Sequence, residues 1–262
     1  MQKLTTLDNK IRVVTQTFKD RSSTAVGVWF AVGGRYENFE NKGIAHFMEH
    51  MAFKGSKNYS CQQVKQLIER VGGNLNAFTS EEETCYYAKV PSKHFNRTFD
   101  ILADISIFPN LNKKDLEKER TVILEEIKMY RDLPQYYVME LLEELLWPNH
   151  PLGVSLAGSH QTVSNLSEND LKNFQRHYYV PENIVISVCG DMSHEAMVKI
   201  VDKKLGRLKG TKPNDYLPAH KTQQRPSVNF YKKDTEQMHL ALGYLAYETN
   251  HKDYYVLATL SI

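Results

Sequence analysis

The 262 residues carry 33 Lys and Arg against 31 Asp and Glu, a formal charge of +2, and 41% of them are hydrophobic. That balance belongs to an ordinary globular chain with room for one large domain or two small ones, and it gives no electrostatic reason to expect nucleic acid or a membrane as partner. Cys61, Cys85 and Cys189 form neither a disulfide framework nor a C-x-x-C clip, so reduced, buried thiols are expected; with no leader-like start and no long apolar run, the expected address is cytoplasmic.

Residues 11–18 and 24–32 are rich in Val, Thr and aromatics and flank a polar turn, which reads as a β-hairpin. After Gly33-Gly34 and a polar run to Lys42, the apolar residues Ile44, Phe47, Met48 and Met51 mark a short helix. That helix holds His46, Glu49 and His50 in the order H-x-x-E-H. At i, i+3 and i+4 the three side chains leave one helix face, so two imidazoles one turn apart can grip a single metal ion. Zinc suits neutral imidazole, and a catalytic zinc takes three protein ligands and leaves a fourth position for water. Glu49, between the histidines, is placed to take that water's proton.

A helix from Ser60 to Arg70 follows, then strands 75–79 and 84–90 around the acidic turn Ser80-Glu81-Glu82-Glu83, a second hairpin. A helix through Ile105 leads to a longer one, from Asn112 or Lys113 to near Asp132. At about 100° per residue, Leu116, Val122, Ile123, Leu124, Ile127, Met129 and Tyr130 form one broad apolar stripe with Glu119 and Glu126 in its middle. An inward carboxylate is costly unless paired, hydrogen-bonded or bound to metal. A helix with inward acids lacks a cation, and a helix with two histidines lacks a third ligand. Glu126 is the natural third ligand, and Glu119, two turns away on the same face, can support the site; the competing reading is a salt bridge from Glu126 to a nearby Lys or Arg.

Helical runs at 135–147 and up to Tyr178, an apolar strand 183–189 and an amphipathic helix to Leu208 complete a unit spanning 1–209. Residues 210–226, with Pro213, Pro218 and Pro226, read as a linker. Segments 228–231 and 239–247 repeat the hairpin pattern and a helical run opens at Asp253, so 227–262 looks like the start of a second, homologous unit that is cut off. The expected fold is α+β, a largely antiparallel sheet covered by helices. His150 and His160 either line a pocket or are simply solvated.

In separated blocks, GGRYENFENKGIAHFMEHMAFKGS from Gly33, VGGNLNAFTSEEETCYYAKV from Val71, ERTVILEEI from Glu119, HPLG from His150 and VISVCGDM from Val185, the chain resembles the N-terminal half of inverted-zincin peptidases, the family of pitrilysin, insulin-degrading enzyme and the mitochondrial processing peptidase. The resemblance implies a zinc endopeptidase with one Zn²⁺ held by His46, His50 and Glu126, Glu49 as general base and Glu119 as a supporting acid. It also implies that Asn76, Ala77, Phe78 and Thr79 form an edge strand to which an extended peptide adds through backbone hydrogen bonds; without the resemblance they are an exposed sheet edge. Family members draw an Arg and a Tyr from a second homologous half, so a second half or a partner subunit, in a homo- or heterodimer, is implied. The alternative is a non-catalytic peptide-binding or scaffold subunit; such subunits tend to lose motif residues, and all four are present here.

Overall fold

The computed structural model describes residues 2–210, 213, 215–219 and 225–260. Six strands, β1 (Gln2–Thr6), β2 (Arg12–Thr17), β3 (Ser23–Phe30), β4 (Asn74–Thr79), β5 (Thr84–Pro91) and β6 (Ile184–Gly190), form one sheet in the order β1-β2-β6-β3-β5-β4. Neighbours run antiparallel except β2 and β6, so the largely antiparallel α+β architecture expected from the sequence is the one observed.

The first expected hairpin is not one. β2 and β3 both form, but β6 lies between them, with Ile186 opposite Val13 on one side and Val28 on the other. The reason is burial: β6 hides Ile184, Ile186 and Val188, and a strand this apolar is costly at a sheet edge and favoured in the middle. The hairpin that β2 does make is with β1, which sequence patterning passed over, through a turn closed by Leu7 N–H to Ile11 O at 2.8 Å. The β4–β5 hairpin forms as expected, paired from Asn74↔Lys89 to Thr79↔Thr84.

Helices α1 (Ile44–Ala52), α2 (Cys61–Glu69), α3 (Phe95–Ile107), α4 (Lys113–Asp132), α5 (Pro134–Leu146), α6 (His160–Asn165), α7 (Glu168–Tyr178) and α8 (His194–Leu205) build around the sheet, and α9 (Tyr254–Leu260) lies near the C-terminus. The core joins Val26, Val28, Phe30, Tyr86 and Ile186 of the sheet to Phe47 and Met48 of α1, Phe99 and Leu102 of α3, Ile123 of α4 and Met197 of α8. Trp29 and Tyr87 alternate with buried neighbours and, with Phe78, form an aromatic row, Trp29–Phe78 5.7 Å and Phe78–Tyr87 6.2 Å between ring centres. The short α6 was not legible in the sequence; Ser159 caps it in a capping box, while Ser167 caps α7.

Two further expectations are corrected. Residues 228–231 and 239–247 form no strand among the described residues, and Val228, Phe230 and Leu240 stand 72%, 92% and 87% exposed. A two-strand pattern without a sheet to join satisfies neither its backbone nor its apolar side chains. All three thiols are free, but only Cys85 is buried; Cys61 opens the polar start of α2 and Cys189 alternates with the inward Val188 on β6, so both are exposed. No helix among the described residues is long and apolar enough to cross a membrane.

Candidate metal centre

α1 is nine residues long, and Ile44, Ala45, Phe47, Met48, Met51 and Ala52 are buried, which leaves His46, Glu49 and His50 on the remaining face. It starts abruptly: Gly43 takes a left-handed conformation, φ +96°, open to glycine at little cost, and a Cβ there would lie 2.6 Å from the Ala157 carbonyl oxygen. α4 packs across α1. Asn112 caps α4 by accepting the Asp115 N–H, Asp115 and Arg131 suit the two ends of its dipole, and Pro134 starts the next helix after a break at Leu133. The inward line of α4 is narrower than the predicted stripe: Leu116, Glu119, Ile123 and Ile127 are buried, whereas Val122 and Met129 are 49% exposed because α1 covers only one side of α4.

Where the two helices meet, His46, His50 and Glu126 bring one ligand atom each to within 4.8 Å of one another, the grouping of this kind found among the described residues. Glu126 Oε2 is 3.5 Å from His50 Nε2 and 3.9 Å from His46 Nε2, and the imidazole centres are 4.6 Å apart. Glu119, 6% exposed at its side chain, accepts from His50 Nδ1 at 3.1 Å and pairs through its other oxygen with Lys54. Glu49 accepts the Thr79 hydroxyl at 2.5 Å, so the last residue of β4 touches the motif's own carboxylate. β4 is an edge strand, which places Asn76, Ala77, Phe78 and Thr79 on the free margin beside this site. His150 and His160 are not in the group: His150 accepts the Leu152 N–H, and His160 sits on α6 near Lys128 and Arg131.

The donor set fits zinc. In the neutral imidazole with Nδ1 donating to Glu119, Nε2 of His50 turns a lone pair toward the Glu126 carboxylate, and a cation between the two acceptors would relieve their repulsion; in the protonated imidazole the same nitrogen donates to Glu126. Tetrahedral bonds of about 2.1 Å put neighbouring ligand atoms about 3.4 Å apart, close to the 3.5 Å and 3.9 Å from Glu126 to the two imidazoles. Electrostatics treat the two imidazoles differently. Burial, aided by His50, lowers the pKa of His46 and favours neutral imidazole; burial acts on His50 likewise, but the carboxylates of Glu126 and Glu119 outweigh it and raise its pKa. The hydrogen bond with His50 holds Glu126 below the usual carboxylate range despite its burial. Burial raises Glu49, with Thr79 opposing, a direction that makes it a stronger base.

Thr79 against Glu49 and Lys54 against Glu119 escaped the sequence reading. Lys54 carried a faint signal, four residues beyond His50 in sequence, although α1 ends at Ala52 and Lys54 lies in the turn that follows, whereas the Thr79 contact depends on how β4 ends beside α1 and has no local signature.

A largely antiparallel α+β layer with an H-x-x-E-H helix crossed by an acid-bearing helix defines an inverted zincin. The chain belongs to the insulinase family, peptidase family M16: the profile of that family matches residues 12–160, and that of the M16 inactive domain matches residues 165–261. It is 38% identical over 263 aligned positions to the uncharacterized zinc protease YmxG of Bacillus subtilis, across 100% of this chain and 63% of that protein. It is 36% identical to the mitochondrial-processing peptidase subunit beta of Caenorhabditis elegans, across 82% of this chain and 47% of that one. Among solved structures, a protease from Helicobacter pylori superposes with a TM-score of 0.78 at 26% identity, covering 84% of this chain and 54% of that chain. The chain thus spans less than two thirds of the length of the curated relatives it matches.

Proposed function

We propose that this chain carries the zinc-binding and base-bearing half of a metalloendopeptidase that hydrolyses peptide bonds in extended or unfolded segments. The observation that carries this reading is the convergence of His46, His50 and Glu126 with Glu49 beside them. The two imidazoles and Glu126 would hold the zinc, which when bound supplies Lewis acidity to the scissile carbonyl and lowers the pKa of water toward neutrality. Glu49 accepts a proton from the attacking water and returns it to the leaving amine. Glu119 fixes the tautomer of His50, and Lys54 steadies Glu119.

Substrate would add to the free edge of β4 along Asn76–Thr79. The Ala77 N–H is held by Asn76 Oδ1 at 2.9 Å, so an added strand has that contact to replace. In this reading residues 1–209 are the zinc-binding peptidase domain, 210–226 a linker and 227–262 the opening of a second homologous unit, with the remaining catalytic groups supplied by that half or by a partner subunit. Retention of all four motif residues favours the peptidase over a non-catalytic scaffold. Exposed free thiols at Cys61 and Cys189 suit a reducing, cytoplasmic setting. The test is hydrolysis of a quenched peptide library: turnover that stops on chelation and returns with one equivalent of zinc supports the reading, and chelator-resistant turnover opposes it.

A further inference from the structure

We propose that Glu37 and Lys42 form a buried clamp that positions the metal-bearing helix α1 against the tip of the β4–β5 hairpin, a role that rests on the zinc site proposed above. Glu37 follows a 3₁₀ turn at Gly34–Tyr36, and its side chain is 0% exposed. Its two oxygens accept the Gly43 N–H at 3.0 Å and the Ala45 N–H at 2.7 Å. These are first-turn donors of α1, which its own N-cap cannot satisfy because Gly43 has no side chain. A carboxylate here also meets the positive end of the helix dipole.

Lys42, 1% exposed, stands 3.4 Å from Glu37 Oε2 and donates to Gly34 O at 2.9 Å. Asn38 brings the two residues together: its side-chain oxygen accepts the N–H groups of Glu40 and Asn41, both at 2.9 Å, reversing the chain between Glu37 and Lys42. The same stretch grips the hairpin tip, through Gly34 N–H to Ser80 O at 3.1 Å, Arg35 N–H to Glu81 O at 2.8 Å and Lys42 Nζ 4.0 Å from Glu81 Oε2. The hairpin residue just before that tip is Thr79, whose hydroxyl holds Glu49. One buried pair therefore links the start of the histidine helix to the strand that steadies the base.

The experiment measures zinc affinity by chelator competition, and the visible spectrum of the cobalt-substituted protein, in wild type, Glu37→Gln and the charge-free double variant Glu37→Leu/Lys42→Met. Replacing a buried ion pair by apolar groups of similar size usually preserves folding, so a purely structural pair predicts unchanged affinity and spectrum. The clamp predicts zinc affinity weakened about 10- to 100-fold with an altered cobalt spectrum in the double variant, and a smaller loss in Glu37→Gln, which keeps one acceptor oxygen. Wild-type affinity and spectrum in the double variant overturn the clamp. If that variant does not fold, Glu37→Gln decides, unchanged affinity again overturning it. Failure of the zinc site itself reads differently, as wild-type protein that takes up no zinc.

Discussion

Two regions of this molecule depart from the rule of apolar inside and polar outside, and they do so in opposite directions. Around α1 the chain buries polar groups: Glu37, Lys42 and Glu119 are nearly inaccessible, and His46, Glu49, His50 and Glu126 are partly so. Between 225 and 260 it exposes apolar ones, Phe230, Met238, Leu240 and Tyr244 at 92%, 94%, 87% and 80%. Most polar groups near α1 have a named partner, and His46, His50 and Glu126 could share a cation, so much of the cost of burial is offset locally; Nδ1 of His46 is buried without a hydrogen-bond partner. The exposed segment lies along α5 and leaves a half-open groove of about 530 Å³ lined by Val138, Leu142, Phe230 and Leu240. In the proposed function the buried polarity of the first region serves chemistry, whereas the apolar side chains of the second are already in water and add little to this chain's stability.

The first way to break that comparison is through Glu49. Glu49→Gln keeps the shape of the site and removes the base, and turnover of a quenched peptide is expected to fall by at least about 10²-fold; undiminished turnover would mean that the buried acid of α1 does no proton transfer. Next, Ile186→Ala at the centre of the sheet, 0% exposed, should destabilise the chain by about 2–5 kcal/mol in urea unfolding, and Leu240→Ala by no more than about 0.5 kcal/mol. Equal effects would erase the distinction between the two regions.

A smaller effect sharpens the buried side. Burial raises the Glu37 carboxyl from 4.5 to about 7, against Lys42 and the two N–H groups that lower it. The folded state then binds an extra proton between those two values, so the stability contributed by Glu37 is fully present below the unfolded value and is lost as pH rises through the folded one. The melting temperature of Glu37→Leu/Lys42→Met should therefore fall less than that of wild type across this window. Parallel slopes would show that Glu37 titrates normally.

Much of this was legible in the sequence wherever a local pattern and a burial pattern coincided. The H-x-x-E-H spacing on α1 and the two inward acids of α4 needed only helical periodicity, and the β4–β5 hairpin needed only its turn. What was not legible depended on long-range pairing. The insertion of β6 between β2 and β3 sets Val13 and Val28 against Ile186, a partner more than 150 residues away, and no local turn signal records it. Segments 228–231 and 239–247 repeat the hairpin pattern in sequence yet form no strand among the described residues, because such a pattern becomes a hairpin only beside a partner edge. Thr79 against Glu49 was hidden because it depends on how β4 packs beside α1, and Glu37 against the start of α1 because irregular backbone joins them.

The measurement closest to the central claim is the zinc content of Glu126→Gln beside wild type, by metal analysis after dialysis against a weak chelator, with circular dichroism as the check on folding. The account predicts one zinc per wild-type chain and almost none in a folded Glu126→Gln. Stoichiometric zinc retained in that variant would contradict the pairing of α1 with α4 as a three-ligand site.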